Sequence, residues 1–195
     1  MSPNHVLHSD GPRVARPVRV QPFGSTKVSE AKVIITPVHP GERAALLNLA
    51  VRTGLFAPDE AEALLGGVLD SLAASELPAG HAVVVCRDSS DGAAIGWSYF
   101  APDTYADKVW NVWWIGVNPD HHGGGAGQAI LAHIEREARA SGARVIVIET
   151  SDQPHLARAR TFYRKFGYVE RGRIPDFYAD GDAKVIFSRS LAQAV

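Results

Sequence analysis

Residues 109–137 most restrict how this chain can fold, because they place a strand, a glycine-rich turn and a helix in immediate succession. Residues 109–117 are aromatic and β-branched, which predicts a buried strand that ends before Pro119. From Ala129 onward, apolar residues recur at helical spacing. The glycines of the turn are Gly123, Gly124, Gly125 and Gly127.

The glycine-rich turn predicts an anion site at the start of the helix. The first amides of a helix have no intrahelical partner, and the helix dipole adds partial positive charge there. Glycines let the phosphates of a ligand approach the backbone closely. The stretch is therefore expected to bind a phosphorylated ligand, although a turn that binds nothing is the alternative that this stretch alone leaves open.

Two common phosphate-binding motifs do not fit the spacing of the glycines. A P-loop requires Lys followed by Ser or Thr after its last glycine, but Gln128 and Ala129 stand there. A Rossmann fingerprint requires Gly-x-Gly-x-x-Gly directly after the strand. The sixth position from Gly123 is Gln128, and five residues separate Val117 from Gly123.

The rest of the chain predicts further strands and helices around this stretch. Strands are expected at 32–38, 81–87, 93–100, 109–117, 144–150, 168–174 and 183–191, and helices at 42–53, 57–74, 129–140 and 155–166. The second to fourth strands form an antiparallel meander, and the fifth follows its helix as a parallel crossover. A bulge is expected at Gly116, and residues 175–182 are expected to form a loop.

Composition and charge exclude several classes of function. The net charge of −1 provides no general attraction to nucleic acid or to anionic lipid. No apolar run approaches the roughly 20 residues of a membrane-spanning helix, and the N-terminus has no apolar signal segment, so a cytoplasmic location is expected. Cys86 is the single cysteine, which excludes a cysteine-based zinc cluster, and the histidines lack metal-ligand spacing, so no metal is expected.

Domain organisation follows from the proline content of the first residues. Residues 1–30 contain four prolines and little apolar periodicity, which predicts a flexible N-terminal arm. One domain then occupies residues 31–195.

Two segments of the chain resemble the GNAT acyltransferase superfamily of N-acetyltransferases. Val117-x-Pro119, His122 and Gly125-x-Gly127 are similar to its cofactor loop, Gln/Arg-x-x-Gly-x-Gly/Ala, with His122 where Gln or Arg is usual. Residues 159–168 (Ala-Arg-Thr-Phe-Tyr-Arg-Lys-Phe-Gly-Tyr) resemble its helix signature, Ala-x-x-Phe-Tyr-x-x-x-Gly-Phe/Tyr. The two segments follow each other in the order of the family, and the resemblance covers about residues 32–191.

The resemblance implies the α/β mixed sheet of the GNAT acyltransferase fold, with about seven strands and four helices. Strands 4 and 5 of this fold are parallel and splayed, and the pantetheine arm of coenzyme A lies in the opening. The implied cosubstrate is acetyl-CoA, whose pyrophosphate is wrapped by the glycine loop. The residues that the resemblance assigns to cofactor binding are Ile115, Gly116, Val117, His122, Gly123, Gly124, Gly125, Ala126, Gly127, Gln128 and Tyr163.

The implied activity is acetyl transfer to the primary amine of a small molecule, by direct attack in a ternary complex. A backbone amide near Val117 is expected to stabilise the oxyanion. Tyr163 is expected to protonate the leaving thiolate, and the alternative is that Tyr163 is only a buried core residue. The general base stays open because the fourth strand has no glutamate. Glu149 is the first candidate, with an ion pair as its alternative role, and Asp176, Tyr178 or a water are others.

Other residues and functions are left open by the sequence. Basic candidates for the 3′-phosphate of coenzyme A lie on the last helix: Arg158, Arg160, Arg164 and Lys165. Aromatic candidates for an acceptor pocket are Phe56, Trp97, Tyr99, Tyr105, Trp113, Phe177 and Tyr178. An acyl-CoA sensor without turnover and an acetyltransferase of protein lysines or N-termini are the alternative functions. A homodimer is compatible with the resemblance, and no nucleic acid or membrane partner is expected.

Overall fold

A computed structural model describes residues 33–191, so the predicted arm at 1–30 lies outside the described residues. The strands are β1 Val33–Pro37, β2 Ala82–Asp88, β3 Ala94–Pro102, β4 Val109–Val117, β5 Val145–Ser151, β6 Val169–Ala179 and β7 Asp182–Ser190. The helices are α1 Arg43–Arg52, α2 Pro58–Ala61, α3 Gly67–Ala73, α4 Ala126–Ala140 and α5 Ala157–Lys165, with short 3₁₀ turns at Pro119–His121 and Pro154–Leu156. A π-helical segment, Glu62–Gly66, joins α2 to α3. These three pieces form one continuous helix, so the described chain has the four helices that were predicted.

All seven strands form one sheet in the order β1-β2-β3-β4-β5-β7-β6. β1 to β4 form an antiparallel meander, whereas β4 and β5 are parallel and are connected through α4. The seven-stranded mixed sheet and its parallel central pair are therefore confirmed. The last two strands exchange their order in space, since β7 pairs with β5 and β6 lies at the edge.

The parallel pair is short, and its strands separate. Val109 to Val112 of β4 pair with Val145 to Ile148 of β5, and the pairing ends there although both strands continue. Beyond Val112, the edge of β4 that faces β5 has no strand partner. The predicted splay between strands 4 and 5 is thus present, and it opens toward the end of β4.

The bulge in β4 is at Trp113 rather than at Gly116, where it was predicted. Tyr99 of β3 pairs with Trp114 and Phe100 pairs with Val112, so Trp113 is the extra residue. Gly116 has a different role: a Cβ at this position would overlap the indole of Trp114. The glycine therefore makes room for a side chain and does not mark the irregular register.

The bulge at Trp113 changes which side of the sheet the following residues face. Val112 belongs to the core under α4, but Trp114 belongs to the core on the opposite face. An alternating strand would place these residues on the same face. Ile115 then packs against the core under α4. The bulge thus aims Trp114 away from α4.

Residues 175–182 do not form the predicted loop. β6 continues to Ala179, and a turn of two residues leads into β7. The register shifts between Ile174 and Ala179, and this shift accommodates Pro175 and the positive φ of Asp176 (52°). An edge strand tolerates proline and an irregular ladder, because one side of its backbone pairs with no neighbour.

Two hydrophobic cores lie on the two faces of the sheet. Ile130, Leu131 and Ile134 of α4 pack on the face that also carries Ile146 and Phe187. On the opposite face, leucines of α1 to α3 pack against Trp97, Trp114 and Val85: Leu46, Leu47, Leu49, Leu65 and Leu69. The splayed part of β4 therefore lies between two independently packed layers.

Candidate functional site

A cleft of about 640 Å³ opens where β4 and β5 separate. One wall is the end of β4, with Trp114, Ile115, Gly116 and Val117. The other walls are the glycine loop with the start of α4, the outer face of α5, and the connection between α1 and α2. This arrangement brings the two segments of the predicted family signature to one site.

The glycine loop adopts a conformation that needs glycine. Gly123 has a φ of 87° and Gly125, the residue that precedes α4, has a φ of 90°. A side chain at such a φ is strained, because Cβ then crowds the backbone. Gly127 lies inside the first turn of α4 rather than in the turn before it, where it was predicted. A Cβ on Gly127 would lie 3.0 Å from the ring of Phe162, so this glycine lets α4 approach α5.

Several amides of the loop and of the first helical turn are unpaired. Within residues 33–191, no oxygen accepts a hydrogen bond from the amides of Gly123, Gly125, Ala126, Gly127 and Gln128. The first bond of the helix is that of the Ala129 amide to the carbonyl of Gly125, at 2.9 Å. Unpaired amides at the positive end of a helix dipole favour a phosphate group.

His122 ties the loop to the end of β4. Its Nε2 lies 3.0 Å from the carbonyl oxygen of Val117. Since a carbonyl only accepts, the imidazole must carry its proton on Nε2 in this contact. The histidine lines the cleft and thereby fixes the distance between the glycine loop and the strand.

Tyr163 reaches the cleft from the core under α5. Its side chain is 6% exposed and packs on the ring of Phe187, with centroids 5.6 Å apart. Burial raises the pKa of its phenol, so the hydroxyl stays protonated at neutral pH. The hydroxyl has no hydrogen-bond partner in the described part of the chain and opens to the cleft. Tyr163 is thus both a core residue and an available donor.

Ten of the eleven predicted cofactor residues line this cleft. They are Ile115, Gly116, Val117, His122, Gly123, Gly125, Ala126, Gly127, Gln128 and Tyr163. Gly124 does not line it, and its amide donates to the carbonyl of His121 at 3.4 Å.

The four basic residues of α5 divide into two pairs. Arg160 is buried and donates to the carbonyls of Ser151 and Gln153, at 2.8 and 3.0 Å, and Arg164 binds the carboxylate of Glu170. Both are therefore occupied by structural contacts. Arg158 and Lys165 instead line the cleft.

Glu149 does not line the cleft but lies one residue beyond the last pair of β4 with β5. Its carboxylate forms an ion pair with Lys184, at 2.6 Å between Oε2 and Nζ. Lys184 also lies 3.7 Å from the ring centroid of Phe177. The ion pair that the sequence left open as the alternative role of Glu149 is therefore present.

The other base candidates lie on β6. Asp176 accepts a hydrogen bond from the amide of Gly181 at 2.7 Å and so holds the turn between β6 and β7. Tyr178 is half-exposed, and burial together with the carboxylates of Glu149 and Asp182 raises the pKa of its phenol. A phenol with a raised pKa is a poor base at neutral pH.

The aromatic candidates for an acceptor pocket are distributed over different environments. Trp97 is completely buried and Phe56 stacks on Trp114, with centroids 5.3 Å apart, so both serve the core. Tyr99 contacts Nδ1 of His81 through its hydroxyl at 2.6 Å. The remaining four are exposed: Tyr105, Trp113, Phe177 and Tyr178.

Several residues that line the cleft were not predicted from the sequence, among them Thr53, Leu55, Trp114, His155 and Leu156. Thr53 and Leu55 come from the connection between α1 and α2, which no local pattern relates to the glycine loop. Trp114 is two residues before Gly116, but its orientation depends on the bulge at Trp113.

Other kinds of site find no support in the described residues. Residues 33–191 contain no group of three or more His, Cys, Asp or Glu side chains that would hold a metal ion. No helix in this part of the chain is long and apolar enough to cross a membrane. Cys86 is buried, and burial together with the charge of Asp88 raises the pKa of its thiol to about 11, which makes it a poor nucleophile.

Comparisons with known proteins are consistent with this geometry. The family of the acetyltransferase (GNAT) domain matches residues 78–170. No curated protein sequence matches the chain. A crystal structure of a GNAT-family protein from Desulfovibrio desulfuricans is 27% identical, with a TM-score of 0.74, over 82% of this chain and 99% of that one.

Two more distant structures share the fold. An aminoglycoside 6′-N-acetyltransferase complexed with coenzyme A has a TM-score of 0.66 at 16% identity, over 83% of this chain and 99% of that one. The ribosomal-protein-S18-alanine N-acetyltransferase from Escherichia coli has a TM-score of 0.63 at 16% identity, over 84% and 96% of the two chains.

Proposed function

Because this chain belongs to the GNAT acetyltransferase family, we propose that it transfers the acetyl group of acetyl-CoA to the primary amine of a small molecule. The amine attacks directly in a ternary complex. One observation carries the proposal: a single cleft joins the five unpaired amides of the glycine loop and α4 with the free hydroxyl of Tyr163. The chain therefore presents a phosphate site and a proton donor along one path.

Successive parts of the cleft fit successive chemical groups of coenzyme A. The unpaired amides of the loop and of the first turn of α4 suit the pyrophosphate, and Arg158 and Lys165, which line the cleft, suit the 3′-phosphate. Beyond Val112, the free edge of β4 offers peptide groups to the amides of pantetheine. The aminoglycoside acetyltransferase that shares this fold was crystallised with coenzyme A, which supports the same use here.

The chain's own groups then serve the transfer step. A neutral amine attacks the thioester carbonyl carbon, a C–N bond forms, and the C–S bond breaks to release the thiolate of coenzyme A. In this proposal a backbone amide near Val117, a residue that lines the cleft, donates to the developing oxyanion. Tyr163 supplies a proton to the thiolate from its hydroxyl, which is protonated at neutral pH, and the phenolate then regains a proton from solvent.

The proton of the attacking amine leaves toward Glu149 through a water molecule. Glu149 lies just past the point where β4 and β5 separate, whereas Asp176 is held by its turn. Its partner Lys184 keeps the carboxylate oriented along β7. Small-molecule acceptors approach on the side of the exposed rings of Trp113, Phe177 and Tyr178.

The test is the release of coenzyme A thiol from acetyl-CoA in the presence of polyamines, amino acids, aminoglycosides and a lysine peptide. We expect release above the background of hydrolysis without amine for one class of small amines. Release with the lysine peptide alone would contradict a small-molecule acceptor. No release with any amine, while acetyl-CoA still raises the melting temperature, would contradict amine transfer to these acceptors.

A further inference from the structure

Trp114 carries a buried hydrogen-bond donor that the protein leaves unused. Within residues 33–191, its Nε1 is the sole buried side-chain nitrogen or oxygen without a hydrogen-bond partner, and the residue is only 4% exposed. Trp97, its neighbour in the same core, instead donates from Nε1 to the carbonyl of Leu46 at 2.9 Å. Leaving a buried N–H unpaired costs free energy, so an unpaired donor of this kind requires an explanation.

The unused donor lies at the cleft. Trp114 lines the cleft together with Gly116, on the edge of β4 that has lost its pairing with β5. A Cβ on Gly116 would meet Cζ2 of the indole first and would lie 3.1 Å from Cε2, one of the two carbons bonded to Nε1. This side of the indole is therefore next to the backbone of β4 beyond its last pair with β5.

We propose that the Nε1–H of Trp114 donates a hydrogen bond to a carbonyl oxygen of the acyl-pantetheine arm of the bound donor. This inference rests on the proposed function. The arm carries amide carbonyls and a thioester carbonyl, and all of these are neutral acceptors. The indole lies in an apolar core and packs on the ring of Phe56, and these surroundings suit a neutral oxygen better than a phosphate.

The connection between α1 and α2 packs beside Trp114. Thr53 and Leu55 line the cleft beside Trp114, and Phe56 stacks on its ring. An incoming carbonyl oxygen reaches Nε1 when the segment 53–56 shifts outward. A Cβ on Gly54 (φ 74°), within this segment, would meet no atom within 4 Å, so the segment is not tightly packed at this residue.

The first experiment compares W114F with wild type for binding of acetyl-CoA and of coenzyme A by calorimetry. Phenylalanine keeps an aromatic ring but has no N–H, so the Kd should rise roughly fivefold, the value of one neutral hydrogen bond. A rise for both ligands assigns the bond to a pantetheine amide carbonyl. A rise for acetyl-CoA alone assigns it to the thioester carbonyl.

W97F is the matched control. It shortens a neighbouring buried tryptophan and removes a hydrogen bond that is already satisfied inside the core. It should lower the melting temperature more than W114F does, but it should leave both Kd values unchanged. If the two variants weakened binding equally, the effect of W114F would be one of core packing, and the inference would be wrong.

The second readout is the indole N–H resonance of Trp114 in a ¹H–¹⁵N spectrum, identified as the signal that W114F lacks. The ligand whose Kd rises in W114F is added to the wild-type protein. The Trp114 signal should then move downfield, and the Trp97 signal should stay in place. If wild type binds acetyl-CoA but the Kd is unchanged in W114F and the Trp114 signal does not move, the inference is overturned. Absence of binding to wild type would instead overturn the proposed function.

Discussion

Tyr163 packs in the core, and we propose that the same side chain supplies a proton in the transfer step. Its ring is held between Phe187 and Tyr168, with centroid distances of 5.6 and 6.4 Å, whereas its hydroxyl has no partner in the described residues. Burial of the ring fixes the position of the hydroxyl and raises the pKa of the phenol. A residue of this kind satisfies the core and still presents a proton donor to the cleft.

Y163F is expected to lower kcat about 100-fold with little change in KM, because only the proton donor to the leaving thiolate is removed. The measurement is steady-state thiol release with the best amine of the panel. Y168F is the matched control: Tyr168 is also buried, but its hydroxyl contacts Glu135 at 3.3 Å and lies outside the cleft. Equal losses in the two variants would show that the core, and not the donor, had been damaged.

Glu149 shows how the surroundings of one residue limit its chemistry. The sequence placed it at the end of an apolar strand, and the structure pairs it with Lys184 at 2.6 Å. Its role as a base stays a proposal. The ion pair orients its carboxylate, and that orientation depends on the register between β5 and β7, which sequence spacing does not reveal.

At the scale of elements, the loop between β4 and α4 is the part whose geometry depends most directly on residue type. Gly123 and Gly125 have φ values near 90°, which only glycine adopts without strain. The residues that carry the unpaired amides of the loop and of the first turn of α4 line the cleft. The strand before the loop contributes its free edge because the bulge at Trp113 and the short pairing with β5 separate the two strands.

G123A is expected to weaken acetyl-CoA binding at least tenfold and to lower the free energy of unfolding by about 1–2 kcal/mol, the cost of a left-handed alanine. No atom lies within 4 Å of the added Cβ, so the strain comes from the positive φ alone. G41A is the matched control, since Gly41 has a φ of 83° and equally open surroundings but lies between β1 and α1. Calorimetry should show weakened binding in G123A only, with similar losses of stability in both.

At the scale of the whole molecule, the cleft depends on two helical layers held on opposite faces of one sheet. The α1 side is tied to the sheet by an ion pair: Nη2 of Arg87 lies 2.8 Å from Oε2 of Glu42, and Arg87 is buried. This hydrogen bond from Arg87 is the main reason that the pKa of Glu42 is lowered. The pair joins the start of α1 to β2. Helix α1 belongs to the helical layer that packs on the same face of the sheet as Trp114.

E42Q is expected to lower the free energy of unfolding by about 2 kcal/mol at pH 7, since it leaves the buried Arg87 without its anionic partner. The lowered pKa of Glu42 stabilises the folded protein above the unfolded value of about 4.3, and this contribution is lost as pH falls through the folded value. The difference between wild type and E42Q should therefore shrink below about pH 4. Urea unfolding from pH 3 to 7 measures it.

E76Q is the control for this prediction. Glu76 is exposed, and its carboxylate has no partner in the described chain. This variant should follow wild type at every pH. A difference between E42Q and wild type that persisted unchanged at pH 3 would contradict a charged contact between Glu42 and Arg87.

Local patterns in the sequence predicted the kinds of elements and their order, together with most of the cleft wall. Strand β4 was predicted at its observed bounds, and ten of the eleven predicted cofactor residues lie in one cleft. These features follow from local chemistry, because hydrophobic periodicity, glycine and proline act within a few residues. The cytoplasmic location and the homodimer stay predictions, as do the roles of the site residues.

Features that depend on contacts between distant segments became apparent only in the folded chain. The bulge formed at Trp113 and not at Gly116, and β6 continued through Pro175 because it lies at an edge. A shift of one residue in pairing exchanges the two faces of a strand, and this shift is set by packing against neighbouring strands. The same contacts turned Trp114 toward α1, and so the unpaired donor in the cleft came from the packing of the whole sheet rather than from any local motif.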